Sequence, residues 1–310
     1  MNTVGRPSAP PMSNPRADRV RDVAKLAGRP ARLKTGRFVA EGPQAVREAL
    51  LSHRADASAG GSGVVLEVFA TQACLERLPE LAELAAELPL RLATDEVIAA
   101  MATTISPQGV VAVCRITDYD LDDVLASGAQ LVAVLCEVRD PGNAGTILRA
   151  ADSAGADAVI LTSASVDIHN PKAVRSTAGS LFHLPVVTGV DFDFVMAALH
   201  AHGLTVLAAD GYGDVDLDRL QDESAVRRLA PALAPAGAVP DEAAVVEPSQ
   251  PRLENPTAWL FGNEAQGLSD AQLAAADHRV AVPVYGRAES LNVGTAATVC
   301  LYASARAQNR

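Results

Sequence analysis

Cysteine is scarce in this chain, and the cysteines present form no recognisable framework. The four residues, Cys74, Cys114, Cys136 and Cys300, show neither CxxC spacing nor a histidine at ligand spacing. Cys114 and Cys136 lie inside the apolar runs VVAVCRI and LVAVLCEV, a setting typical of small core residues. This pattern argues against a disulfide-stapled fold, and we expect no metal site.

Aromatic residues and long apolar runs are also in short supply. Aromatics make up 4% of the chain, so the core must be built from Ala, Val and Leu. No stretch approaches 18 apolar residues without a charge, which argues against a membrane span. The amino-terminal sequence MNTVGRPSAPPMSNPR lacks the apolar centre of a signal peptide. We therefore expect a cytoplasmic protein that contacts no membrane.

Net positive charge is absent, but charge is unevenly distributed. The net charge of −11 argues by itself against a nucleic-acid partner. The segment from Met1 to His53, however, holds ten basic residues against four acidic ones, whereas the segment from Asp214 to Glu254 holds nine acidic residues against four basic ones. A basic head is compatible with RNA binding through one face of the molecule.

A length of 310 residues suits two domains better than one. Residues 1–15 are rich in Pro, Ser and Asn and are predicted to be a disordered tail. Residues 16–117 alternate helical and strand patterns, which predicts a small three-layer α/β domain, and residues 118–130 are predicted to be a linker. Residues 131–310 alternate buried strands with helices, which predicts a doubly wound α/β sheet. The acidic, proline-rich stretch at about 211–254 is too long for an ordinary loop and is predicted to be a partly disordered insertion with a short helix.

Three polar, glycine-containing segments follow apolar strands in the second domain, where ligands of open α/β sheets bind. In the first, DPGNAGTILR (140–149), Asn143 can cap the following helix, and Arg149 can meet a phosphate. In the second, LFGNEAQG (260–267), two glycines flank Glu264 and allow backbone amides to face a ligand. The third, VPVYGRAESLNVGTAA (282–297), delivers Ser290 and Asn292 at the start of a small-residue helix.

Taken together and in this order, the segments resemble the three signature motifs of the SpoU branch of the SPOUT methyltransferases. The resemblance covers about Leu131 to Ala307, apart from the acidic stretch. It implies a parallel-sheet catalytic domain with a trefoil knot, which no composition argument predicts. Residues 16–117 look like the small ribosomal-protein-like substrate-binding domain of the members that act on rRNA, on the strength of RFVAEGPQAVREAL and SPQGVVAV.

The resemblance also implies a cofactor, a site and a reaction. The reaction is S-adenosylmethionine-dependent methylation of a ribose 2′-hydroxyl. Residues expected to bind the cofactor are Leu260, Gly262, Gly267, Val282, Pro283, Leu291 and Asn292. The expected catalytic residues are Arg149, Asn143, Glu264, Ser290 and Asn292. Arginine stays protonated in proteins, so we expect Arg149 to hold the adjacent phosphate and orient the 2′-oxygen rather than to act as a base.

The expected partners are RNA, with rRNA (23S) favoured over tRNA, and a second copy of the chain. The family is homodimeric through the knotted domain, with Arg149 reaching toward the partner's cofactor site. The cations expected to contact RNA are Arg16, Arg19, Arg21, Lys25, Arg32, Lys34, Arg37, Lys172 and Arg175. Two other functions stay open at this point, a tRNA 2′-O-methyltransferase and a non-catalytic RNA- or ribosome-binding homologue. A nucleotide-binding oxidoreductase is disfavoured, because PGNAG stands where GxGxxG is needed.

Overall fold

The computed structural model describes residues 10–233 and 251–309, which fold into two compact units. The first unit comprises the described chain up to Asp118 together with Asp167–His183. The second unit comprises Tyr119–Val166 and the described chain from Leu184 onward. The first unit therefore contains a segment that is separated from the rest of it in sequence.

The first unit is built on a mixed sheet in the order β1-β4-β2-β3, as far as the described residues show. Its strands are β1 (Arg37–Glu41), β2 (Val65–Ala70), β3 (Leu90–Leu92) and β4 (Val110–Arg115). Its helices are α1 (Asp18–Lys25), α2 (Arg29–Thr35), α3 (Pro43–Ser58), α4 (Gln72–Arg77), α5 (Glu80–Leu84), α6 (Asp95–Met101) and α9 (Pro171–Ser176), with a 3-10 turn at Ser180–Phe182. Strand β4 pairs antiparallel with β1 and β2, and β2 pairs parallel with β3.

Helices cover both faces of this sheet. On one face, Val111 and Val113 of β4 pack in a cluster that includes residues of α1 and α6. On the other face, Ala112 and Cys114 pack with residues of α3 and α5. Because successive side chains of a strand point to opposite faces, the unbroken apolar run of β4 fills both cores. The result is the three-layer arrangement that the alternating sequence pattern predicts.

Buried charge and apolar packing hold the segment Asp167–His183 within the first unit. Arg32, which is 2% exposed, donates to Asp167 Oδ2 from Nε at 3.0 Å and from Nη2 at 2.7 Å. Its Nη1 donates to the backbone oxygens of Leu26 and Ala27 at 2.9 and 2.7 Å. Val174 is fully buried in the core cluster on the α3 face. The guanidinium is therefore satisfied inside the unit by one carboxylate and two carbonyls.

The second unit is built on a sheet whose described strands run parallel in the order β7-β6-β5-β10-β8-β11-β9. These strands are β5 (Leu131–Leu135), β6 (Ala158–Thr162), β7 (Val186–Val190), β8 (Thr205–Ala209), β9 (Val215–Asp216), β10 (Thr257–Phe261) and β11 (His278–Ala281). The helices are α7 (Leu121–Ala126), α8 (Pro141–Ser153), α10 (Phe192–Ala201), α11 (Leu217–Leu233), α12 (Asp270–Ala275) and α13 (Val293–Gln308).

Helices again lie on both faces, and the alternation along β10 shows why. Leu260 packs in a core cluster with residues of α7 and α10. Its neighbour Trp259 points the other way, and its indole Nε1 donates to Ser304 Oγ of α13 at 2.9 Å, with both residues fully buried. Helix α13 also packs against α8 and β5. Because β10 lies between β5 and β8, the loops that follow β5 and β10 emerge side by side at the carboxyl edge of the sheet.

The structure places the domain boundaries differently from the sequence prediction. The stretch 118–130, predicted as a linker, contains α7, whose Leu121 and Leu125 are buried in the core of the second unit. Of the tail predicted to be disordered, residues 1–9 lie outside the described residues. Met12 forms a bridge with Ala93 and accepts a hydrogen bond from Thr94 at 2.9 Å, so residues near it are ordered by backbone pairing.

Part of the predicted insertion belongs to the sheet and its covering helices. Strand β9 pairs with β11 at the sheet edge, and α11, which follows directly, buries Leu217 and Leu220. This helix is longer than the short one predicted within residues 211–254. Residues 234–250 of the predicted insertion lie outside the described residues.

Candidate functional site

The first polar segment folds as a capped helix start, but the cap is not the predicted residue. Helix α8 begins at Pro141, and its N-cap is Asp140, whose Oδ1 accepts from the amides of Gly142 and Asn143 at 2.7 and 3.0 Å. The prediction that Asn143 caps this helix is therefore wrong. An acidic N-cap followed by proline at the first helical position is a favourable start, and it leaves the Asn143 side chain available for other contacts.

Glu264 of the second segment binds the first segment. Its Oε1 accepts from the amide of Asp140 at 3.0 Å and from Asn143 Nδ2 at 3.1 Å, while its Oε2 accepts from the amide of Arg139 at 3.2 Å. Burial opposes ionisation of the carboxyl, but hydrogen bonds from Asn143 and from backbone amides outweigh this effect and hold the pKa of Glu264 below its usual value. Glu264 is therefore a carboxylate at neutral pH and acts as an acceptor only.

Asn292 connects the third segment to the same network. Its Oδ1 accepts from the amide of Gly294 at 2.9 Å, which makes it the N-cap of α13. Its Nδ2 donates to Asn143 Oδ1 at 3.1 Å. Asn143 thus contacts both Glu264 and Asn292, and side chains from all three predicted segments meet at the carboxyl edge of the sheet.

Sequence reasoning missed Asn263, which holds the second segment in place. Its amide and carbonyl pair with the carbonyl and amide of Gly267 at 3.0 and 2.8 Å, which closes a tight loop. Its Nδ2 donates to the backbone oxygen of Glu137 at 3.0 Å, and Glu137 itself adopts the left-handed region with φ 56°. The signal that could have identified this position is a polar residue directly after a strand-ending glycine.

Gly262 is required by the tight loop that follows it. A Cβ placed on this residue would lie 2.3 Å from the carbonyl carbon of Gly267 and 2.4 Å from the amide nitrogen of Leu268. Both atoms belong to the backbone and cannot move aside by a side-chain rotation. The loop that carries Glu264 therefore depends on the absence of a side chain here.

Replacing Gly262 with alanine is expected to destabilise the protein by about 1–3 kcal/mol, because the clash must be relieved by moving backbone. Binding of the expected cofactor, S-adenosylmethionine, is expected to weaken at least about tenfold, which calorimetry would measure beside thermal unfolding. The matched control is Gly211→Ala, since a Cβ at Gly211 meets no atom within 4 Å and its φ is not positive. Equal cofactor affinity for both variants would contradict the role given to Gly262.

Arg149 lies on α8, more than two turns from the helix start. Its side chain is exposed, and within residues 10–233 and 251–309 it makes no hydrogen bond or ion pair. Ser290 is likewise exposed and without a hydrogen bond in the described chain. The structure therefore joins Asn143, Glu264 and Asn292 in one hydrogen-bonded network. The polar groups of Arg149 and Ser290 have no partner among the described residues.

The residues predicted to bind the cofactor differ in their exposure, and so in the groups with which they could contact a ligand. Leu260 lies wholly within the core. Leu291 is 37% exposed, and Val282 and Pro283 are partly buried. Among the residues described, the backbone amides and carbonyls of 283–291 make no hydrogen bond. This donor and acceptor set, with apolar side chains beside it, fits an adenosyl group recognised through main-chain atoms.

Removing the Glu264 side chain is expected to lower methyl transfer about a hundredfold, because Asn143 and the amides before α8 lose their common acceptor and the site loses its alignment. Glu289→Ala provides the control, since Glu289 is exposed and makes no hydrogen bond within the described chain. Rates are measured at saturating cofactor and RNA. A Glu264→Ala variant with the wild-type rate would show that the network does not serve catalysis.

The cations predicted to bind RNA divide into paired and unpaired groups. Arg32 is buried against Asp167, so its assignment to an RNA-binding surface is wrong. The others that form ion pairs are Arg19 with Glu67, Arg21 with Asp18, Lys25 with Asp22 and Arg175 with Glu41. Arg16, Lys34 and Arg37 are exposed and have no side-chain partner in the described chain, and Lys172 is exposed.

Three further observations concern the described residues. A cavity of about 440 Å³ in the first unit, lined by residues that include Thr71, Arg77 and Gln108, contains none of the predicted site residues. No cluster of three or more His, Cys, Asp or Glu side chains in the described chain is arranged to hold a metal ion. In the same residues, no helix is both long enough and apolar enough to cross a membrane.

Family models match both units. The SpoU rRNA Methylase family model matches residues 130–302, and the model of the MRM3-like substrate binding domain matches residues 17–112. A Bacillus subtilis protein named 23S rRNA (guanosine(2553)-2′-O)-methyltransferase RlmP is 32% identical over 284 residues, which span 92% of this chain and 94% of the relative.

Solved methyltransferase structures resemble the chain over nearly its whole length, as two examples show. The AdoMet-bound rRNA methyltransferase from Sinorhizobium meliloti has a TM-score of 0.73 at 25% identity and covers 96% of this chain and 97% of its own. The SpoU methyltransferase AviRb from Streptomyces viridochromogenes, in complex with AdoMet, has a TM-score of 0.71 at 26% identity and covers 94% of this chain and 98% of its own.

Proposed function

Because the chain belongs to the SpoU rRNA methylase family, we propose that it transfers a methyl group from S-adenosylmethionine to a ribose 2′-hydroxyl of 23S rRNA. The observation that carries the proposal is the hydrogen-bonded network of Asn143, Glu264 and Asn292, which joins side chains from the three signature motifs. When bound, the cofactor supplies an electrophilic methyl group. The preference for rRNA over tRNA is supported by the match to a substrate-binding domain and by relatives named for 23S rRNA.

The residues around the site suggest positioning catalysis. Arg149 stays protonated, so it does not accept the proton of the 2′-hydroxyl, which would pass to water as the methyl group is transferred. Its planar guanidinium suits a phosphate beside the target nucleotide and stabilises negative charge that develops on the 2′-oxygen. Asn143 and Asn292 are fixed by each other and by Glu264, and they present a rigid polar wall to the substrate. Ser290, whose hydroxyl makes no hydrogen bond in the described chain, is the remaining polar group proposed to contact the substrate.

Cofactor recognition is assigned to the loops after β10 and β11. The main-chain groups of residues 283–291 make no hydrogen bond within the described chain. Together with the apolar side chains of Val282, Pro283 and Leu291, they would hold the adenosyl group. The loop that follows Gly262 and is closed by the pairing of Asn263 with Gly267 would hold the cofactor through its backbone. Leu260, which is wholly buried, would support the pocket from behind.

A homodimer through α8 and α13 is part of the proposal. Val299 and Tyr302 on α13 are 38% and 49% exposed, and Tyr302 donates to the backbone oxygen of Ser153 on α8 at 3.3 Å. Arg149 lies on the same helix pair, so a partner that covers these apolar side chains would receive Arg149 near its own site. Light scattering tests this, with Val299→Asp expected to yield monomers. A monomeric wild-type protein would contradict it.

The test of the function incubates the protein with tritiated S-adenosylmethionine and either 23S rRNA or tRNA that lacks the modification, and measures the label transferred. Titration calorimetry measures cofactor binding separately. We expect saturable cofactor binding and transfer to 23S rRNA alone. Transfer to tRNA alone would contradict the substrate assignment. Failure to bind the cofactor would instead indicate a non-catalytic RNA-binding homologue. A cytoplasmic location is part of the same proposal.

A further inference from the structure

Most cations of the first unit's amino-terminal region are neutralised by nearby carboxylates. On α1, Arg21 pairs with Asp18, and Lys25 Nζ lies 2.9 Å from Asp22 Oδ1. Arg19 also pairs with a carboxylate, and Arg32 is buried against one. A phosphate that approached α1 would compete with these carboxylates. Basic composition alone therefore overstates the positive charge available for binding.

Three cations near the turn between α2 and β1 and at the end of β4 lack such compensation in the described chain. Lys34, Arg37 and Arg115 are exposed, and none of them forms an ion pair with a carboxylate of the described chain. Arg37 and Arg115 are direct partners in the antiparallel register of β1 and β4. Like charges placed directly opposite each other on a sheet are destabilising. Among the described residues, the only side-chain partner of Arg115 is the hydroxyl of Ser62.

The backbone around these residues is fixed. Gly36 ends α2 in the left-handed region with φ 62°, and its amide donates to the carbonyl of Arg32 at 2.8 Å. The carbonyl of Gly36 accepts from the amide of Ile116 at 2.8 Å. Lys34 near the end of α2 and Arg37 at the start of β1 therefore flank a turn whose Gly36 is tied to the residue after Arg115, so little backbone ordering is needed when an anion binds.

We propose that Lys34, Arg37 and Arg115 form a phosphate-binding surface for the RNA backbone. The inference rests on the proposed function and names where the first unit contacts its substrate. A bound phosphate would relieve the repulsion between Arg37 and Arg115, which nothing in the described chain offsets. RNA is favoured as the partner because Lys34 and Arg37 fall within the matched substrate-binding domain. The net charge of −11 repels polyanions over the rest of the chain, so RNA phosphates are expected to bind where cations have no carboxylate beside them.

The experiment compares two matched double variants of the full chain. Lys34→Ala with Arg37→Ala removes one lysine and one arginine from the proposed surface. Arg21→Ala with Lys25→Ala removes the same charges from α1; the sequence predicts RNA contacts for these two cations as well, but each is paired with a carboxylate. Affinity for unmodified 23S rRNA is measured between 50 and 200 mM salt, beside calorimetry with S-adenosylmethionine.

The Lys34/Arg37 variant is expected to bind rRNA about tenfold more weakly. Its plot of log affinity against log salt is expected to be shallower by about 1.5, because two phosphate contacts are lost. KM for rRNA rises while kcat and cofactor affinity stay unchanged. The Arg21/Lys25 variant is expected to stay within about twofold of the wild type. Equal losses in both variants, or none in either, would overturn the surface while leaving the proposed function intact, whereas a wild-type protein that neither binds nor methylates rRNA would overturn both.

A stability measurement separates binding from a structural role. Arg37→Gln removes the cross-strand repulsion, so its unfolding temperature is expected to stay equal or to rise by up to about 3 °C while rRNA binding weakens. A lower unfolding temperature in Arg37→Gln would show that Arg37 supports the fold instead.

Discussion

Replacing Arg149 with alanine is expected to lower the rate of methyl transfer by about a thousandfold while leaving the unfolding temperature unchanged. The rate falls because the phosphate clamp and the stabilisation of charge on the 2′-oxygen are both lost. The fold is unaffected because Arg149 is exposed and has no hydrogen-bond or ion-pair partner within the described chain. Exposed substitutions of this kind change stability by less than about 0.5 kcal/mol.

Two further variants sharpen this result. Arg149→Lys keeps the charge but loses the planar, bidentate geometry, so it is expected to recover only a minor part of the rate. Arg252→Ala is the control, since Arg252 is an exposed arginine of the same unit without a side-chain contact in the described residues. Full activity in Arg149→Ala would refute the assignment of the site.

Replacing Asp167 with asparagine is expected to cost about 3–5 kcal/mol of stability, because the buried Arg32 guanidinium then lacks its counter-ion. Chemical denaturation would measure the loss. Asp22→Asn is the control, since Asp22 pairs with Lys25 at the exposed surface, where ion pairs contribute little to stability. The double variant Arg32→Met/Asp167→Asn is expected to lose less than Asp167→Asn alone, because no uncompensated charge remains.

The same ion pair gives the stability a defined dependence on pH. Burial opposes ionisation of Asp167, but hydrogen bonds from His169 and Arg32 and the charge of Arg32 hold its pKa well below the usual value. The contribution is therefore complete above the unfolded pKa of about 4 and is lost as pH falls below it. Between pH 6 and 2 the wild type is expected to lose more stability than Asp167→Asn. Parallel pH profiles would contradict this account.

Secondary structure and fold class were largely predictable, whereas the order of strands was not. Runs such as LVAVL indicate strands buried on both faces, and these strands exist where expected. The predicted fold class, a parallel-sheet SPOUT domain after a small α/β domain, is confirmed. The insertion of β10 between β5 and β8 depends on pairing between distant segments, and periodicity within one segment carries no information about it.

The site was predictable as three loops but not as a network. Glycines and polar residues after apolar strands marked the segments that the structure brings together. The hydrogen bond between Asn292 and Asn143 joins residues 149 positions apart, and local spacing cannot reveal it. The role of Asp140 could have been read from the proline that follows it.

Which cations are buried in ion pairs and which remain exposed was the least predictable feature. Arg32 and Lys34 stand two residues apart in the same basic stretch, yet one is buried and the other exposed. What decides between them is Asp167, which lies 135 positions further along the chain. Charge counting finds the basic region, and only the structure separates the cations that build the unit from those that remain available to a ligand.

The central claim is that the methyl group goes to ribose, and alkaline hydrolysis of labelled rRNA tests it most directly. After reaction with tritiated S-adenosylmethionine, 23S rRNA is hydrolysed and the products are separated by size. A methylated 2′-oxygen cannot attack the neighbouring phosphate, so the label is predicted in alkali-resistant dinucleotides. Label recovered in mononucleotides would place the methyl group on a base and would contradict the account.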